Sequence, residues 1–115
     1  MREIVRDKGR LEHILQSIEN IFQFTQEVDF CEFQSNKMLR YAVIKNIEII
    51  GEASYKLSKE FREKHPEMNW AQIIGMRHVL VHGYYLIEDI IAWEVVQKDL
   101  LPLKEQIQTL YDKET

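Results

Sequence analysis

Residues 36–65 read NKMLRYAVIKNIEIIGEASYKLSKEFREKH. Within them Leu39, Val43, Ile47, Ile50, Ser54, Leu57 and Phe61 recur at steps of 4, 4, 3, 4, 3 and 4. That period is the signature of a helix with one buried face. Asn36 supplies a side-chain acceptor at the N-cap. The residue before Pro66 is pushed out of the α region, so the spacing predicts one long helix from Asn36 to near His65. Ile44, Ile49 and Tyr55 lie off the stripe and predict contact on more than one side. Gly51, Ala53 and Ser54 cost helix propensity in mid-helix but permit another backbone to come close.

The flanking chain is also helical in period. Upstream, Leu11, Ile14, Ile18, Ile21 and Thr25 step by 3, 4, 3 and 4, with Leu15 and Phe22 widening the stripe. Asp7 reads as the N-cap of this first helix. Glu27 to Ser35 breaks the pattern and reads as a loop whose Phe30 and Phe33 pack back onto the core. Downstream, Asn69 caps a third helix carrying Trp70, Ile73, Ile74, Leu80 and Val81, with Gly83 as its terminator. A last helix opens near Glu88 or Asp89, whose charges suit an N-terminus. Its stripe is Ala92, Val96, Leu100, Leu103, Ile107 and Leu110, and Pro102 inside it predicts a kink or break. Four main helices with short connections make the expected fold all-α, an antiparallel up-and-down bundle in one domain spanning 1–115.

Composition narrows the function. The chain has 115 residues, 45% hydrophobic and 30% charged, with 15 basic against 19 acidic residues and a net charge of −4. One such domain can bury a core without metal or disulfide staples. The negative balance excludes a wholly basic nucleic-acid-coating surface but not a local basic cleft. Four glycines and two prolines leave little turn chemistry for an all-β fold. No apolar run approaches the roughly 20 residues that cross a bilayer, and MREIVRDKGR lacks the apolar core of a signal peptide. Cys31, the single cysteine, excludes an internal disulfide framework and reads as a buried apolar residue. A reduced, cytoplasmic location is expected. His13 and His65 read as surface residues, and Trp70 and Trp93 as core or interface anchors.

One residue contradicts the pattern. Trp70, Ile73, Arg77, Leu80 and Tyr84 step by 3, 4, 3 and 4, so Arg77 falls inside an apolar stripe. A guanidinium there needs an acidic partner, such as Glu48 or Glu52, or an anionic ligand at a cleft. His82 follows five residues later, then Gly83, Tyr84 and Tyr85. Arginine can hold phosphoryl oxygens bidentately, histidine can move a proton, and tyrosine can donate a hydrogen bond or stack on a base. On an ideal helix positions five apart lie roughly 140° apart. Arg77 and His82 therefore converge only if the helix unwinds near Gly83 or a second copy of the chain lies alongside, which hints at a composite site in a homodimer. His78 and His82, four apart, have a spacing that zinc sites use. No carboxylate accompanies them, so no metal and no cofactor is expected.

At these residues the sequence resembles the HepT-like branch of the HEPN superfamily. The motif is R-x(4)-H-x-Y, here Arg77, His82 and Tyr84, with upstream matches at Ile50-Gly51-Glu52-Ala53 and Trp70…Ile73-Ile74-Gly75-Met76. Arg6-Asp7-Lys8…Arg10-Leu11…His13-Ile14 is similar to the same family. The resemblance implies a homodimeric helical bundle that acts as a metal-independent endoribonuclease, the toxin of a type VII toxin–antitoxin pair. It implies that Arg77 and His82 of both subunits line one cleft. Arg77 would hold the phosphate, while His82 would assist attack of the ribose 2′-OH or protonate the leaving oxygen. Products would carry a cyclic phosphate. The partner implied is a minimal nucleotidyltransferase antitoxin (MntA-like) that attaches AMP to Tyr84, with Tyr85 as an adjacent acceptor. The position after the arginine is commonly asparagine in the superfamily and is His78 here, a supporting group whose role stays open. Two other readings stand beside this one. The chain could be a non-catalytic helical RNA- or nucleotide-binding subunit of a nucleotidyltransferase, or an interaction protein in which Arg77 forms a structural salt bridge.

Overall fold

The computed structural model describes residues 2–78 and 88–114, all helical or in short connections between helices. The order is α1 (Arg2–Phe24), α2 (Phe30–Ser35), α3 (Lys37–Tyr55), α4 (Lys59–Lys64), α5 (Trp70–Gly75) running into a 3-10 turn (Met76–His78), α6 (Glu88–Glu94), a π-helical turn (Val95–Asp99) and α7 (Leu100–Lys113). Helix α3 is central and packs against α1, α2, α5, α6 and the 3-10 turn. Side-chain bonds give the directions. Asn20 bonds Asn46 while Asp7 bonds Ser58, so α1 and α3 run antiparallel. Glu19 meets Lys104 while Glu12 meets Tyr111, so α1 and α7 also run antiparallel. The expected all-α bundle is present. Among the described residues no helix is long and apolar enough to cross a membrane.

The core is the one the helical stripes mark out. Leu11, Ile14, Ile18 and Ile21 of α1, Val43, Ile47 and Ile50 of α3, and Leu100, Leu103 and Ile107 of α7 are buried together. Each such side chain contributes about 1.5–3 kcal/mol on leaving water. Asn36 caps α3 by accepting from the Leu39 N–H, and Asn69 caps α5 by accepting from the Gln72 N–H. α4 ends at Lys64 with His65 as its C-cap, before the proline, as the sequence requires. α6 starts at Glu88. The irregularity expected at Pro102 lies one turn earlier: the Leu100 N–H reaches back to the Val95 carbonyl, five residues away, to form the π turn. Proline has no N–H to offer the preceding turn, and the widened turn is how the helix absorbs that loss.

Several expectations are corrected. Asp7 does not cap α1, which already begins at Arg2. Asp7 is 5% exposed, and its carboxylate accepts from both the Ser58 N–H and the Ser58 hydroxyl, each at 2.7 Å. The Ser58 hydroxyl in turn accepts from the Phe61 N–H and caps α4. The predicted single helix over 36–65 is therefore two, because the Lys56–Ser58 backbone turns to meet Asp7. Leu57 and Phe61 stay buried across the break, so the apolar stripe survives it. Within the segment read as a loop, Asp29 caps α2 by accepting from the Glu32 N–H. Phe30 and Phe33 do pack inward, with ring centres 6.1 and 5.1 Å from that of Trp93. Cys31 is exposed rather than buried, since it lies on the opposite side of that short helix from the phenylalanines. His65 is buried, not a surface residue. Its ring lies 4.6 Å from that of Phe61, and its carbonyl accepts from Trp70 Nε1–H. The expected packing of Leu80 and Val81 and the stop at Gly83 lie outside the described residues.

Candidate functional site

The site is built on the last turn of α3. At Gly51 the backbone of the 3-10 turn comes so close that a Cβ would lie 2.3 Å from the Arg77 amide nitrogen and 2.9 Å from the Ile74 carbonyl oxygen. Only glycine permits this approach. From the other side the segment is anchored by Trp70, Ile73 and Met76, all buried. Arg77 is thus fixed at its backbone against the bundle's central helix.

Its side chain is fixed too. The Arg77 Cζ stands 3.8 Å from the centre of the Tyr55 ring, one helical turn beyond Gly51. Arg77 Nε donates to His78 Nε2 at 3.4 Å, so this ring nitrogen acts as acceptor. The sequence offered an acidic partner in Glu48 or Glu52. Neither pairs with Arg77; Glu48 takes Lys45 at 2.9 Å instead. Among the described residues no carboxylate forms an ion pair with Arg77.

An aromatic face holds a guanidinium differently from a carboxylate. The attraction runs through the ring quadrupole and leaves the in-plane N–H donors pointing outward. A carboxylate would neutralise the charge and occupy the same fork that grips a phosphate. The arrangement leaves Arg77 held in place, half-buried and suited to an external anion.

His78 is exposed beside Arg77. His82, Tyr84 and Tyr85 lie outside the described residues, as does the question of their convergence on Arg77. The helix leaves α geometry at Met76, where the 3-10 turn Met76–His78 begins. No group of His, Cys, Asp and Glu able to hold a metal ion occurs among the described residues. Sequence reasoning missed Tyr55, an off-stripe aromatic; its place four residues after Gly51, on the same helix side, was the available signal.

Fold and site together define a class: helical bundles that present an arginine, beside a histidine, on a short helical segment clamped to the central helix. The chain belongs to the HepT-like family, described as "Ribonuclease HepT-like", which matches residues 14–110. A protein of Methanocaldococcus jannaschii named "Putative RNase MJ1380" is 42% identical over 101 residues, 88% of this chain and 93% of the relative. "Putative RNase TTE0752" of Caldanaerobacter subterraneus subsp. tengcongensis is 39% identical over 90% of this chain and 93% of its own. "Probable ribonuclease HepT" of Thermococcus cleftensis is 38% identical, with coverage of 90% and 94%. No solved structure matches the chain.

Proposed function

We propose that this chain is the endoribonuclease toxin of a toxin–antitoxin pair, working as a homodimer without a metal ion. The observation that carries the reading is Arg77, held over Tyr55 beside His78 with no described carboxylate to neutralise it. In this reading Arg77 and His82 of two subunits line one cleft. One His82 takes the proton of a ribose 2′-OH, and the 2′-oxygen bonds to the adjacent phosphorus. The bond to the 5′-oxygen breaks, and the second His82 supplies a proton to that oxygen. The products are a 2′,3′-cyclic phosphate and a 5′-hydroxyl. Arg77 binds the phosphoryl oxygens while their negative charge grows. His78, adjacent to Arg77, is a supporting phosphate contact.

Dimerisation is supported by exposed apolar groups on α3. Tyr41 and Tyr55 lie within about 40° of each other around an ideal helix, and both are exposed. A minimal nucleotidyltransferase antitoxin silences the enzyme by attaching AMP to Tyr84. The added phosphate charge and bulk fall two residues from His82 and compete for Arg77.

The test is cleavage of a labelled RNA by wild type, Arg77→Ala and His82→Ala. Loss of the arginine should lower kcat by about 10²–10³, and loss of the histidine by about 10²–10⁴. Full activity in both variants refutes the assignment. RNA binding without cleavage by wild type would instead favour the non-catalytic reading.

A further inference from the structure

The outer end of α3 carries one more residue of this site. Tyr55 is its last residue, 49% exposed. Its described partner is the Arg77 guanidinium, whose Cζ stands 3.8 Å from the ring centre. Arg77 is thereby gripped at both ends by one turn of one helix: its backbone rests on Gly51 and its guanidinium on Tyr55, four residues on.

A long flexible arginine left to itself samples many rotamers, and fixing it costs side-chain entropy. If the fixing occurs before RNA arrives, that cost does not fall on the catalytic step. The usual device is a carboxylate, which would compete with the phosphate. A ring does not compete, because it attracts the guanidinium through its face and takes none of its N–H donors, of which Nε already serves His78. We infer that Tyr55 is a positioning residue that preorganises Arg77 for the scissile RNA phosphate, acting through its ring face and not its hydroxyl. This rests on the nuclease reading above.

The inference separates Tyr55→Phe from Tyr55→Leu. Phenylalanine keeps the ring face, so cleavage should stay within about 2-fold of wild type. Leucine keeps apolar bulk without the quadrupole, so kcat should fall by about 3- to 30-fold, the range a cation–ring contact spans. KM should change little, because the phosphate charge that Arg77 meets is greatest in the transition state. The second readout needs no activity. In a proton–nitrogen NMR spectrum the Arg77 Nε–H resonance, identified by its loss in Arg77→Lys, should be displaced by the ring current in wild type and Tyr55→Phe. It should return toward ordinary arginine positions in Tyr55→Leu, with the melting temperature of all three within a few degrees.

An undisplaced Nε–H in wild type overturns the inference, as does Tyr55→Leu cleaving like wild type while Arg77→Ala is inactive. A defect confined to KM also overturns it, because it would make the ring a direct RNA contact. If Arg77→Ala itself cleaves normally, or wild type does not cleave, the nuclease reading falls and the positioning role with it. The displaced resonance would then report only a contact.

Discussion

Replacing Gly51 with alanine tests whether α3 holds Arg77 in place. The new Cβ would stand 2.3 Å from the Arg77 amide nitrogen, 2.9 Å from the Ile74 carbonyl oxygen and 3.0 Å from the Arg77 Cα. All three are backbone atoms, so no side chain can swing away. Ordinary contact begins at 3.4 Å, so the 3-10 turn must retreat by about 1 Å. Overpacking of this kind costs about 1–3 kcal/mol, and alanine in a helix interior returns about 1 kcal/mol. The net loss is about 0–2 kcal/mol, a drop in Tm of up to about 8 °C for a domain of this size. Catalysis should suffer more, since a misplacement of about 1 Å can cost about 10²-fold. The assay pairs thermal unfolding by circular dichroism with RNA cleavage well below Tm. A folded Gly51→Ala protein with wild-type cleavage and wild-type Tm would refute the argument that this close approach sets the position of Arg77.

Other outcomes follow from single contacts. Asp7→Ala leaves the Ser58 N–H and hydroxyl without their buried acceptor; it should cost about 1–3 kcal/mol in chemical denaturation, and an unchanged unfolding midpoint would contradict the claim that Asp7 holds the turn before α4. Tyr111 donates to Glu12 at 2.7 Å, and that hydrogen bond, then burial, then the charges of Glu12 and Asp112 raise the phenol above its ordinary value of 10.0. A raised folded value favours the protonated form, so this contact contributes stability below about pH 10 and loses it as pH rises through the folded value. Phenolate absorbance should show one tyrosine titrating late, and Glu12→Gln should bring it back. Intact-mass spectrometry after incubation with a cognate nucleotidyltransferase and ATP should show added AMP mapping to Tyr84; AMP found only on another residue would contradict the proposed means of silencing.

The sequence makes some features plain and hides others for physical reasons. Periodicity reports which residues are buried, not whether the backbone between them is continuous. The stripe from Leu39 to Phe61 was therefore legible, while the turn at Lys56–Ser58 was not. That turn answers to Asp7, and a carboxylate meeting a serine 51 residues away leaves no local signature. Helix α2 is too short to display a helical period, so only its inward phenylalanines could be read. His65 is buried with its ring against Phe61 and its carbonyl bonded to the Trp70 indole, a tertiary circumstance. At the site, Gly51 among small neighbours foretold a close backbone approach, and the misplaced charge of Arg77 marked it as the residue to explain. What the pattern could not supply was the partner. Opposite charge pointed to Glu48 and Glu52, whereas a ring face also satisfies a guanidinium and carries no charge by which to be found.

In the proposed reaction Arg77 handles the phosphate of an RNA being cut. The decisive measurement is of the ends of the fragments made from one defined RNA, in buffer containing a metal chelator, with wild type and Arg77→Ala side by side. Wild type should cleave in the presence of the chelator and leave a 2′,3′-cyclic phosphate and a 5′-hydroxyl, with loss of about 10²-fold or more in the variant. Equal cleavage by both proteins, or fragments ending in a 5′-phosphate, would contradict that reaction.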